Sequence, residues 1–160
     1  MDIKTQDILE TIKRFNSRLD LLYNQIKSWL EEENIDFIEK SAEIELEENF
    51  SGKYKCITKN IKISKNNLTI TIVPTGIRII GTEGKVEFRG ESGTESLVYI
   101  KEQTRYFTTE KLNQLKNKTK NKSKNTLYRI EGWHWLDDSI TGKKPLFDKD
   151  IFFALIERIN

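Results

Sequence analysis

Only one cysteine, Cys56, and one histidine, His134, occur in this chain of 160 residues. No intrachain disulfide can form, and no Cys/His cluster is left to build a structural zinc site. Two prolines and eight glycines leave room for long unbroken elements. The longest apolar run, Ile151 to Ile156, falls far short of the ~20 residues a membrane-spanning helix needs. Met1 is followed by acidic and polar residues rather than an apolar leader core, which predicts a cytoplasmic protein. Aromatic and β-branched residues are plentiful, so a chain disordered throughout is not expected.

The formal net charge is +2, but it is unevenly spread. Residues 1–50 hold thirteen acids against six bases, and residues 51–130 hold six acids against seventeen bases. Such segregation points to a partner of opposite sign more than the total does.

The strongest pattern is a heptad seam: Ile8, Ile12, Phe15, Leu19, Leu22, Ile26 and Trp29 alternate in steps of four and three. This spacing predicts one helix over 5–32, with Thr5 as N-cap. At 1.5 Å per residue it would be about 42 Å long, roughly the width of the whole domain. Leu9, Tyr23 and Leu30 widen the stripe beyond the two-position seam of a coiled coil. A helix lying across a sheet is the favoured reading. Leu9, Tyr23 and Leu30 are the expected interface positions if part of the helix also meets a partner or a second copy.

Beyond Glu33 the period becomes two. Ala42, Ile44 and Leu46 alternate with Glu43, Glu45 and Glu47 as a half-buried strand with an acidic outer face. Short strands are predicted over 52–58, 61–64, 68–73, 77–80, 85–89 and 97–101, with Pro74–Gly76 as an interruption. Gly81–Gly84 and Gly90–Gly93 read as hairpin turns. Residues 35–101 thus form an antiparallel meander. Residues 126–136 return to strand character, with Gly132 as a bulge. Asp148 caps a final helix over 148–159. The expected fold is one α+β domain over 1–160: a long N-terminal helix on a twisted antiparallel sheet of about six to eight strands, closed by a C-terminal helix.

The middle of the chain resembles a bacterial family with the pattern Gly-x-Tyr, then Pro-x-Gly-x-x-Ile-Ile-Gly-x-x-Gly-x-Val, then a helix rich in Phe and Leu. Gly52, Tyr54, Pro74, Gly76, Ile79, Ile80, Gly81, Gly84, Val86, Gly90, Phe153 and Leu155 carry it. Lys85 and Glu87 stand where family members often carry Arg and Asp. The resemblance implies turns and core positions, and no activity.

Three chemical readings deserve weighing. His134, between Trp133 and Trp135, could act as a general base oriented by Asp137 or Asp138. No Ser or Cys nucleophile accompanies it in a recognisable setting, and an exposed structural histidine is the plainer reading. Glu131, Asp137 and Asp138 do not form a convincing cation site, because adjacent aspartates on a strand point apart. Lys111 to Asn125 forms a Lys/Asn-rich loop, expected to be mobile. In it Lys116, Lys118, Lys120, Lys122 and Lys124 could contact nucleic-acid phosphates, an acidic protein, or the Glu43/Glu45/Glu47 face of a second copy. No aromatic residue within the run offers base stacking.

The functional expectation is therefore a non-enzymatic protein-interaction module with no cofactor and no metal. It would be an accessory or subunit of a larger bacterial assembly, of the defence or DNA-processing kind. A nucleic-acid-binding protein using the Lys loop is the alternative, and a hydrolase using His134 and nearby carboxylates is the second.

Overall fold

A computed structural model describes residues 2–79, 82–101, 103–104, 128–136 and 145–160. Lys111 to Asn125, Asp137 and Asp138 lie outside them. The architecture is α+β: an N-terminal helix, a six-stranded open antiparallel sheet and a C-terminal helix.

Helix α1 spans Ile3–Glu32. Its N-cap is Asp2, not Thr5: the Asp2 carboxylate accepts the Thr5 N–H at 2.7 Å, satisfying one of the orphan donors of the first turn. The helix ends at Asn34, whose φ of 55° is left-handed. Asn34 N–H donates to Glu31 O at 3.0 Å and Ile35 N–H to Leu30 O at 2.9 Å, the paired bonds of a Schellman cap. Seven side chains of α1 are buried: Phe15, Leu19, Leu22, Tyr23, Ile26, Trp29 and Leu30.

The strands are β1 (Phe37–Glu48), β2 (Gly52–Ile63), β3 (Leu68–Gly76), β4 (Lys85–Arg89), β5 (Thr94–Ile100), β6 (Gln103–Thr104), β7 (Tyr128–Arg129) and β8 (Gly132–Trp135). The main sheet runs β1-β2-β3-β4-β5-β8, and β6 pairs with β7 separately. Every pairing is antiparallel. The chain meanders through five neighbours in order, as short turns require.

Four strand expectations change. Residues 52–58 and 61–64 are one strand, β2, in unbroken register with β1. Tyr54 and Cys56 are buried from one face of β2, Ile61 and Ile63 from the other, with residues 57–60 half-buried between. The alternation breaks there because the buried face changes, not because the strand ends. β3 continues through Pro74 to Gly76, with a bulge between them against β4. Pro74 is tolerated because β2 stops pairing at Ile72, so its missing N–H robs no neighbour. Residues 77–79 are not strand. Gly132 starts β8 opposite Ile100 in regular pairing, rather than forming a bulge.

Helix α2 spans Lys149–Ile159, capped by Asp148, which accepts the Ile151 N–H at 2.9 Å. Phe152, Leu155, Ile156 and Ile159 are buried. Trp29 of α1, Phe88 of β4, Phe147 and Phe152 meet ring to ring, with Trp29–Phe147 and Phe88–Phe147 centroids 5.4 and 5.6 Å apart in edge-on contact. This aromatic knot joins both helices to the sheet. The 90–93 turn closes the other end of α2. Ser92 N–H donates to Ile159 O at 2.7 Å, and Gly90 N–H donates to Gly93 O at 2.9 Å. A Cβ at Gly90 would lie 2.2 Å from Ile159 O.

Two substitutions check this packing. Each fully buried apolar side chain of α1 contributes about 1.5–3 kcal/mol, against a net stability of about 5–15 kcal/mol for a domain. Leu19→Asp therefore abolishes the cooperative thermal transition. Gly90→Ala sets a methyl into a backbone carbonyl and lowers stability by about 2 kcal/mol or more in urea unfolding, whereas Gly93→Ala, with open space around it, has a much smaller effect.

Candidate functional site

Residues chosen for chemistry meet different fates. His134 is buried, 4% exposed, not exposed as expected. β8 sets Trp133 and Trp135 on the helix-facing side and His134 on the other, beside Val98. Its Nε2 lies 2.7 Å from Ile130 O, so that nitrogen carries the proton and donates. This ring is tied into the fold rather than offered to solvent. Asp137 and Asp138 lie outside the described residues, as do Lys116, Lys118, Lys120, Lys122 and Lys124. Glu131 turns towards Arg18, with 3.7 Å between Oε1 and Nη2. Among the described residues no group of three His, Cys, Asp or Glu side chains converges to hold a metal.

Of the expected interface positions, Tyr23 and Leu30 are core residues, 3% and 0% exposed. Their place beside the seam brings them onto the sheet, and the Tyr23 hydroxyl donates to Ile57 O at 2.6 Å. Leu9 alone is presented outward, at 50% exposure.

Sequence reasoning missed Arg18. It sits beside the seam, with its side chain 11% exposed. Its guanidinium lies 3.9 Å above the Tyr99 ring and pairs with Glu83 at 2.9 Å. Its backbone carbonyl accepts the Trp133 indole N–H at 3.1 Å. One residue thereby links α1, β5, β8 and the segment before β4. The only local hint is a cation flanking an apolar stripe, which many solvent-facing arginines share; its partners come from distant parts of the chain.

Arg18 also lines a cleft of about 570 Å³ between α1 and the 131–133 and 146–149 stretches. Leu21, Leu22, Trp29, Tyr99, Trp133 and Leu146 make it largely apolar. Leu21 and Leu146 are exposed at its rim. Arg18, Glu131, Asp148 and Lys149 give the rim balanced charge, and Lys149 Nζ reaches Glu32 on α1 at 3.2 Å. An apolar recess with a charged rim suits burial of apolar side chains more than acid–base work.

Glu48 also escaped the sequence reading. At the end of β1, its carboxylate accepts N–H bonds from Ile77 at 2.9 Å and Arg78 at 2.9 Å, and it accepts the Tyr54 hydroxyl. It anchors the chain where β3 ends. Burial, with the nearby Glu48 charge, pushes the Cys56 thiol up to about 11, so it stays protonated and unreactive near neutrality.

The acidic β1 face is partly answered within the sheet. Lys55 approaches Glu43 at 3.3 Å and Lys53 approaches Glu45 at 3.9 Å. Further along, Glu39 lies between Lys27 of α1, at 3.0 Å, and Lys59 of β2. Burial pushes the Glu39 carboxyl up, but hydrogen bonds from Lys59 and Lys27 outweigh it and hold the carboxyl below its ordinary value.

Comparison with protein-family models, with curated proteins and with solved structures gives no match, and lends no support to the family resemblance in the sequence.

Because the Glu39 carboxyl is lower in the folded chain, its stabilising effect is present above the ordinary carboxylate range and is lost as pH falls through the lowered value. Glu39→Gln therefore costs about 1 kcal/mol at pH 7, discounted for partial exposure. Chemical denaturation at pH 7 and at pH 3 checks this: the gap between mutant and wild type narrows on acidification.

Proposed function

We propose that this protein is a non-enzymatic interaction module, an accessory or subunit of a larger bacterial assembly. The observation that carries the reading is the apolar surplus of α1. The core closes over the helix only from Phe15 onward. Before it, Ile8 and Ile12 are half-covered, while Ile3 and Leu9 are 88% and 50% exposed. A helix with more apolar surface than its own sheet covers is suited to docking another chain. The apolar cleft that Arg18 lines supports the same reading, since its lining offers recesses for side chains and no convergent nucleophile. The compartment stays a proposal from the sequence, cytoplasmic; among the described residues no helix is long and apolar enough to cross a membrane.

The test is photo-crosslinking in the native cell, with a photoreactive amino acid at position 9 and a control at Glu31, which is exposed at the far end of α1. Position 9 yields a discrete adduct and Glu31 does not. Leu9→Asp removes the complex on sedimentation while shifting stability by no more than about 0.5 kcal/mol, as surface substitutions do. Equal labelling at both positions, together with a sedimentation mass of one chain in cell extract, would refute the reading.

A further inference from the structure

We propose that the outer edge of β1 docks an extended cationic segment of a partner protein, one with lysine or arginine at alternate positions and apolar residues between. This deepens the interaction-module reading but uses a different surface from the α1 overhang.

β1 ends the sheet, and among the described residues nothing pairs with its outer edge. Over twelve residues it therefore offers a row of unsatisfied N–H and C=O groups, the template for strand addition. Its second half is strictly alternate: Glu43, Glu45 and Glu47 are exposed, while Ile44, Leu46 and Glu48 are half-buried. A strand laid along this edge sets its own alternate side chains beside these two rows. Cations belong beside the glutamates, and apolar side chains belong beside Ile44 and Leu46.

Charge selects the occupant. β1 carries Glu39, Glu43, Glu45, Glu47 and Glu48 against Lys40 alone. Lys53 and Lys55 answer Glu45 and Glu43, but all four side chains are more than half exposed, so those pairs are weak and can be shared. Glu47 has no ion-pair partner among the described residues. A second β1 fits badly. Two-fold antiparallel pairing of this edge with itself brings residues of equal parity onto one shared face, so Glu43, Glu45 and Glu47 of both copies would crowd together. The charges that block self-pairing leave the edge open to a strand of opposite sign. The competing occupant is the lysine-alternating stretch 116–124 of a second copy.

The experiment uses the full chain and two fluorescent synthetic peptides of identical composition, one alternating Lys and Val and one with its lysines grouped at one end. By anisotropy at physiological salt the alternating peptide binds about tenfold tighter or more. Its binding falls by about tenfold or more in the E43K/E45K/E47K variant, and hydrogen exchange slows at the amides of residues 43–47. If that variant melts early, E43Q/E45Q/E47Q must weaken the same peptide. Leu9→Asp leaves peptide binding unchanged, which separates failure of this proposal from failure of the α1 reading. Equal affinity for both peptides, no binding of either, indifference to the glutamate substitutions, or exchange unchanged over 43–47 would overturn it. So would a homodimer that Lys→Gln substitutions at 116–124 dissolve, because the edge would then belong to a second copy.

Discussion

Burial of one continuous stripe of α1 against the helix-facing side of the sheet is the constraint on which the rest of the molecule depends. Phe15, Leu19, Leu22, Ile26 and Trp29 supply it, with Tyr23 and Leu30 on its flank. A meander of this size has two faces and cannot leave both wet. The helix covers much of one face, and Trp29 passes the contact on through Phe147 and Phe152 to α2. Arg18 fastens the same helix laterally to β5 and β8. The overhang and the cleft exist because a rigid rod is laid across a sheet that does not match it in length or contour.

The parts of the fold legible in the sequence are those whose signal is local and repeated. The seam supplies enough periods to place α1 within two residues at its start. Asp148 and the apolar face after it place α2 for the same reason, since the cap and the stripe agree. The β1 to β5 order follows from short turns. Less legible is whatever depends on an element's environment. Tyr23 and Leu30 look like spare interface positions because a heptad template assigns them to a rim; the breadth of the sheet turns them into core. Residues 57–60 look like a gap because alternation fails, whereas the strand continues and its buried side changes. Pro74 looks like an ending because its effect depends on which neighbour it faces.

The candidate surfaces show the same division. Leu9 shares its heptad position with Tyr23 and Leu30 but precedes the stretch of α1 that the core covers, and it stays 50% exposed. His134 is placed on the opposite side from the tryptophans by simple alternation, yet its burial depends on what packs beyond the sheet. Arg18 and Glu48 are invisible in advance: each gathers partners from distant segments, Glu83 and Tyr99 in one case, Ile77 and Arg78 in the other. Their composition and spacing are those of ordinary surface charges. Only the topology reveals them as fasteners.

The change of buried face along β2 has a mechanical consequence. A uniformly alternating hairpin resists sliding by one residue, which turns its apolar set outward, but tolerates sliding by two, which restores it. β1 and β2 lack that freedom. A two-residue shift would carry Thr58 into the position of Cys56, or Lys59 into that of Ile61, so a polar group would replace an apolar one whichever way the strands moved. The crossover therefore works as a vernier stop, admitting a single alignment for a hairpin long enough to have several.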